Sequence, residues 1–225
     1  MKTAVSTPAR NGSGALTRAA HETLRAHLHD GRLRAGAFLS MPMLVETLGL
    51  PLAAVREAVK RAEAAGLVTV VPKRGIAVME ADADTTRECL DLRAVLETEG
   101  ARRRLLCAGP PDLTELRRQH EEMLARARQS LANGLPRQAI AVDLSLHDRL
   151  SGWLDSALMT QLYADNRSRI AIIQNVRPFL PDRIVPAMEE HLRIIAALEA
   201  GDIGRATEAI RQHLHQTMRW WGGEP

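Results

Sequence analysis

Aromatic side chains are scarce: Phe, Tyr and Trp together make up 3% of the 225 residues. Single-strand nucleic-acid binders stack bases on aromatic platforms, so the composition argues against that class. Cysteine is limited to Cys89 and Cys107, with no Cys-x-x-Cys spacing, which rules out a disulfide framework and a thiolate zinc ribbon. Both lie in helical patterns, and Cys107 is expected to be a small core residue. No apolar run approaches the ~18 residues of a membrane span, and the N-terminus lacks the apolar stretch of a secretory signal. The setting expected is reducing and cytoplasmic. A Ser-His-Asp order and a phosphate-cradling glycine loop are also missing, so the chain is not read as an enzyme.

Hydrophobic residues amount to 45%, enough for a packed core, which must be Leu, Val, Ile and Ala, as in helical proteins. Charge is unevenly placed. Residues 1–75 carry eleven Lys/Arg against five Asp/Glu; residues 76–225 carry nineteen Arg against twenty-two Asp/Glu. A basic first part and an acidic remainder suggest a nucleic-acid-facing half and a half with another task.

The stretch from Leu48 to Val78 organises the first part. Val55, Val59, Ala62 and Ala65 recur at three- and four-residue steps, so Ala53–Ala65 reads as a helix with one apolar stripe. Arg56, Lys60 and Arg61 lie off that stripe. Gly66 ends the helix, the β-branched run 67–71 reads as a strand, Pro72-Lys73-Arg74-Gly75 is a turn, and 76–78 returns. A helix feeding a two-stranded ribbon with a cationic tip is the layout of a winged helix-turn-helix; an ordinary helix–hairpin unit with a solvated basic face fits the same residues. Upstream, Leu16, Ala20, Leu24 and Leu28 mark a first helix, and Ser40 caps a second that Gly49 closes. Residues 1–14 are small and polar and are expected to be a flexible tail.

The segments DGRLRAGAFLS, LVETLGL, VREAVKRAEAAGLV and PKRG resemble the DNA-binding domain of GntR-type bacterial transcription factors. The resemblance implies a winged helix-turn-helix over residues 15–79 that binds double-stranded operator DNA through Arg56, Lys60, Lys73, Arg74 and Gly75. The sequence departs from the family where a Ser-Arg or Thr-Arg pair usually opens the recognition helix: Pro51, Leu52, Ala53 and Ala54 stand there. An arginine reading guanine is therefore missing, and such a contact discriminates by about 1–3 kcal/mol.

Residues 80–84 are acidic and read as a linker. Beyond them every pattern is helical, giving about six antiparallel helices over 85–221, so the chain as a whole is mainly α. Asp143 and His147 lie one turn apart on one helix face; His191 and His213 lie on two later helices. One carboxylate and three imidazoles are a credible set for Zn, Ni or Mn, although each also reads as an ordinary helix residue. The segments D-x-x-x-H and EEHLRIIAALEAGDIGRATEAIRQHL resemble the FCD ligand domain of the FadR subfamily of GntR regulators. That resemblance implies Asp143, His147, His191 and His213 as ligands of a divalent ion, zinc first. It also implies Arg93 as the partner of a carboxylate effector, with Arg167 or Arg169 as a second cation. His215 points away and is not included. Leu146 stands where the family often has Phe, and Gly152-Trp153 where it has Gly-Asn. The whole implies a homodimeric, ligand-responsive regulator, by family habit a repressor, whose dimer face comes from the entry helix and Leu113–Leu131. A metal-dependent hydrolase and a purely structural ion are the competing readings of the same cluster.

Overall fold

The computed structural model describes residues 11–129, 135–177 and 181–222. It divides into two units, 1–81 and 82–225. The first runs α1 (Asn11–His29), β1 (Phe38–Leu39), α2 (Met41–Leu48), α3 (Leu52–Ala64), β2 (Val68–Val71) and β3 (Gly75–Val78). Leu24 and Leu28 from α1 and Val55, Ala58 and Val59 from α3 are buried in one core. Ser40 caps α2 by accepting from the Met43 amide at 3.2 Å, and Gly49 ends it in the left-handed region at φ 63°. Pro51 precedes α3 as its cap residue, without a side-chain hydrogen bond. Gly66 (φ 70°) lets the chain leave α3, with the Leu67 amide returning to Ala62 O. Glu63 on α3 accepts from the Val70 amide at 2.8 Å and so ties β2 to the helix.

The wing hairpin pairs Val68 with Val78 and Val71 with Gly75. A strand of two residues, β1, adds to it through Leu39↔Ile76, a length too short for periodicity to signal. Helix α1 begins at Asn11, so residues 11–14 of the expected tail are helical; residues 1–10 lie outside those described.

The second unit holds six helices among the described residues: α4 (Ala83–Ala108), α5 (Thr114–Gln129), α6 (Leu135–Ser151), α7 (Ala157–Val176), α8 (Pro181–Glu199) and α9 (Ile203–Trp220). The acidic run expected to be a linker partly starts α4. Asp82 caps the helix by accepting from the Thr85 amide at 2.7 Å, and Asp84 sits in the first turn, where a carboxylate meets the positive helix end. Asp112, Ser156 and Asp202 serve the starts of α5, α7 and α9 in the same way. Helix α8 starts at Pro181 and carries Pro186 inside it.

Helix α4 packs against α6, α7 and α9, and α8 against α5, α6 and α9. Gly100 permits the α4–α6 approach, since a Cβ there would lie 2.1 Å from Leu150 O. Cys89 is buried, but Cys107 is exposed, contrary to its expected place in the core: it lies one residue before the end of α4, past the last buried position, Leu105.

Candidate metal centre and nucleic-acid interface

Asp143, His147, His191 and His213 come together inside the second unit. One ligand atom from each lies within 4.8 Å of all the others, and all four residues are buried. Helix α6 supplies Asp143 and His147 from successive turns, α8 supplies His191, and α9 supplies His213. Asp143 Oδ1 is 3.5 Å from His191 Nε2 and Asp143 Oδ2 is 3.8 Å from His147 Nε2.

The outer partners fix how each imidazole faces. His147 Nδ1 donates to Glu97 at 2.9 Å, and His213 Nδ1 donates to Glu190 at 2.7 Å. His120 Nδ1 donates to Leu116 O at 2.7 Å, so its Nε2 is an acceptor and takes the proton of His191 Nδ1 at 3.1 Å. Every Nδ1 proton therefore points outward, and three Nε2 lone pairs converge with a carboxylate. His147 Nε2 is buried with no hydrogen-bond partner. His191 Nε2 and His213 Nε2 stand 3.1 Å apart with no proton between them in this network. Two facing lone pairs repel unless a cation lies between them. Ligand atoms around an ion at ~2.1 Å are about 3.0–3.4 Å apart, so the donor set fits a divalent ion.

Electrostatics point the same way. Burial, with Arg93 nearby, lowers the pKa of His147 well below its ordinary value; burial and then the other imidazoles do the same for His191. Burial likewise lowers His120. Neutral imidazole is the form that ligates. Burial alone would raise Glu190, but hydrogen bonds from His213 and Arg183 hold it down at about 2. Burial raises Glu97 against the pull of Arg93.

Two arginines back this arrangement. Arg93 Nε donates to Glu97 at 2.7 Å, and Arg183 forks onto Glu190 and also reaches Thr217 at 3.3 Å. Burial opposes the charge of Arg93, and Glu97 against it more than compensates. Both arginines are 3% exposed and line one small cavity over the cluster, with Gln174, Thr217 and Trp221 completing its wall.

The expected second cation lies elsewhere. Arg167 is spent on a two-pronged pair with Asp148, at 2.6 and 2.9 Å, and neither it nor Arg169 lines this cavity. Arg183 lines the cavity beside Arg93, itself forked onto Glu190. The tryptophan in the cavity wall is Trp221. His215 is exposed, as expected. Sequence reasoning missed His120, Glu97, Glu190 and Arg183. The available signal was polar residues falling at inward helical positions, as with His120 between Leu116 and Leu124.

In the first unit, the outward edge of α3 carries Leu52, Ala53, Arg56, Glu57 and Lys60, all exposed. Lys60 pairs with Glu57 at 2.8 Å. Lys73 and Arg74 are exposed at the wing tip, with Lys73 at φ 60°. Gly75 is needed for geometry, since its φ is 133° and a Cβ would meet Leu39 O at 2.5 Å.

Among the described residues no helix is long and apolar enough to cross a membrane. In the second unit, exposed apolar side chains include Val95 and Leu106 on α4 and Leu158 and Leu162 on α7. Leu113, Leu116 and Leu124 are buried, so the α5 segment does not supply the exposed apolar face expected of it; Leu131 lies outside the described residues.

Residues 16–78 match the GntR family of bacterial regulatory proteins, and residues 88–216 match the FCD domain. No curated protein matches the sequence at a significant level. Three solved structures share the fold. E. coli McbR/YncC is 20% identical with a TM-score of 0.68, covering 92% of this chain and 97% of that one. A protein from Rhodococcus sp. RHA1 described as a GntR transcriptional regulator is 24% identical with a TM-score of 0.69, covering 94% and 99%. Lar, which controls the expression of the Listeria monocytogenes agr system, is 13% identical with a TM-score of 0.61, covering 98% and 99%. The chain belongs to the GntR-type transcription regulators that carry an FCD domain, a FadR-like architecture of DNA-binding unit and helical unit, and is not an enzyme.

Proposed function

We propose that in this regulator Asp143, His147, His191 and His213 hold one divalent ion, zinc first, and that a small organic acid binds beside it near Arg93 in a more open arrangement of the bundle, since the cavity here, about 10 Å³, has room for no more than one water. The observation that carries this is the convergence of three Nε2 lone pairs and a carboxylate, with every Nδ1 proton committed outward. The bound ion supplies a fixed positive charge in a low-dielectric pocket. Glu97, Glu190 and His120 orient the imidazoles. Arg183 is already forked onto Glu190, so Arg93, which meets Glu97 through Nε, is the proposed partner of an incoming carboxylate. Three carboxylates, two guanidinium groups and a divalent ion sum to one net positive charge, which a carboxylate neutralises. That balance favours a sensing site over a purely structural ion.

The DNA-facing role belongs to Arg56, Lys60, Lys73 and Arg74, with Gly75 shaping the wing. Helix-turn-helix dimers bind paired half-sites, and the exposed α4–α7 apolar face is the proposed homodimer contact. Effector binding shifts the population between two bundle arrangements and so changes operator affinity, in the sense of a cytoplasmic repressor. The test is elemental analysis of the purified protein, followed by calorimetric titration of the metal-loaded form with small monocarboxylates and dicarboxylates. About one ion per chain, and heat from a carboxylate that disappears in Arg93→Ala, is the expected result. A metal-free protein that takes up no ion, or carboxylate binding unaffected by metal removal, contradicts the reading.

A further inference from the structure

We propose that the first turn of α3 reads thymine methyl groups in the major groove through Leu52 and Ala53, so that the core of the operator half-site is selected by apolar contact rather than by arginine–guanine hydrogen bonds. This rests on the reading of the chain as a DNA-binding protein. In a helix-turn-helix the second helix enters the major groove and its N-terminal residues reach the base edges. Here that helix is α3, preceded by α2 and the turn at Gly49–Pro51. Its inward positions are Ala54, Val55, Ala58, Val59 and Ala62, all buried. Its outward edge therefore begins with Leu52, which is 45% exposed, and with exposed Ala53.

The first turn offers the bases no hydrogen-bonding side chain, because Pro51, Leu52, Ala53 and Ala54 are all apolar. One turn further on, Glu57 and Lys60 are paired with each other at 2.8 Å, which leaves Arg56 as the polar group nearest the helix start. Every base edge in the major groove presents donors or acceptors, and the one apolar group on any of them is the C5-methyl of thymine. A leucine set against a donor or acceptor would strip it of water without replacing the hydrogen bond. Against a methyl group it removes apolar surface from water on both partners. Ala53, with its short side chain, lets the helix approach closely enough for this contact. Arg56, on the same row as Leu52 one turn along, is placed to meet a phosphate or a neighbouring base.

The experiment uses the full chain. Duplexes are selected from a library with a randomised core, and the best duplex is bound by fluorescence anisotropy. Each thymine is then replaced singly by deoxyuridine, which keeps the base pair and removes only the methyl. At one or two positions the affinity should fall roughly fourfold, the worth of burying one methyl-sized group. In Leu52→Ala the penalty at one of those positions should vanish while the others remain. Because Leu52 is exposed, this variant should unfold at the wild-type temperature, so lost coupling cannot be ascribed to misfolding. Leu52→Arg, carried through the same selection, should enrich guanine at that position. Uniform affinity for all uridine duplexes, or a Leu52→Ala variant in which no uridine penalty vanishes, overturns the proposal while leaving DNA binding intact. A selection that enriches nothing above random duplex overturns the DNA-binding reading and the proposal with it.

Discussion

Stripping the metal should destabilise the helical unit by an amount that can be worked out. The four ligands come from α6, α8 and α9, so an ion bound there is held by the folded bundle and not by the open chain. An ion at a hundredfold excess over its dissociation constant stabilises the native state by about 2.7 kcal/mol. For a chain of this size each kcal/mol moves the unfolding temperature by about 2–4 °C, so the shift should be about 5–11 °C. His191→Ala removes the imidazole that faces both His213 and Asp143 and should abolish the shift. The variant also leaves His120 Nε2 without its donor, which lowers the metal-free baseline in a separate, metal-independent way. The assay is thermal unfolding of chelator-dialysed protein, with zinc, nickel or manganese added back. A wild-type protein indifferent to all three ions, or a His191→Ala variant that keeps the full shift, would refute the reasoning.

Acidification of the metal-free protein gives a second expectation. His147 and His191 have folded pKa values well below 6.5, so below that pH the unfolded chain takes up protons that the native state refuses. Stability is complete above about pH 6.5 and falls beneath it by up to about 1.4 kcal/mol per unit for each histidine. Raised Glu97 opposes this in its own window above about 4.5, and Glu190, held at about 2, contributes its loss only at lower pH. Urea midpoints that stay level between pH 7.5 and 5.5 would count against it. Gly100→Ala forces a methyl to 2.1 Å from Leu150 O and must push α4 from α6; a loss of at least about 1–3 kcal/mol in chemical unfolding is expected. Leu158→Glu, at a side chain that is 73% exposed on α7, should shift sedimentation from dimer to monomer without moving the monomer's unfolding midpoint.

What the sequence disclosed follows from locality. Apolar stripes, cap residues and breakers act within one helix, so Ser40, Gly49 and Gly66 marked their turns correctly. Asp143 and His147 share a helix, and His191 and His213 sit in a segment specific enough to align by resemblance. The outer partners were hidden because they act across distance. His120 and His191 are separated by 71 residues, and Glu97 and His147 by 50. Arg167 looked available because its partner, Asp148, is 19 residues away on another helix. Arg183 was passed over since nothing in the linear order shows that α8 turns it, with Glu190, toward α9. Residues 82–84 show the opposite case: acidic residues without periodicity describe a linker and the first turn of a helix alike, and here Asp82 caps α4.

The most direct measurement is anisotropy of the selected operator duplex with the metal-loaded protein, before and after addition of the carboxylate found by calorimetry, at two salt concentrations. The account predicts tight, salt-dependent binding whose dissociation constant changes at least fivefold with the carboxylate, a change lost in Arg93→Ala. Operator binding that ignores both metal and carboxylate would contradict a regulator governed from the buried cluster.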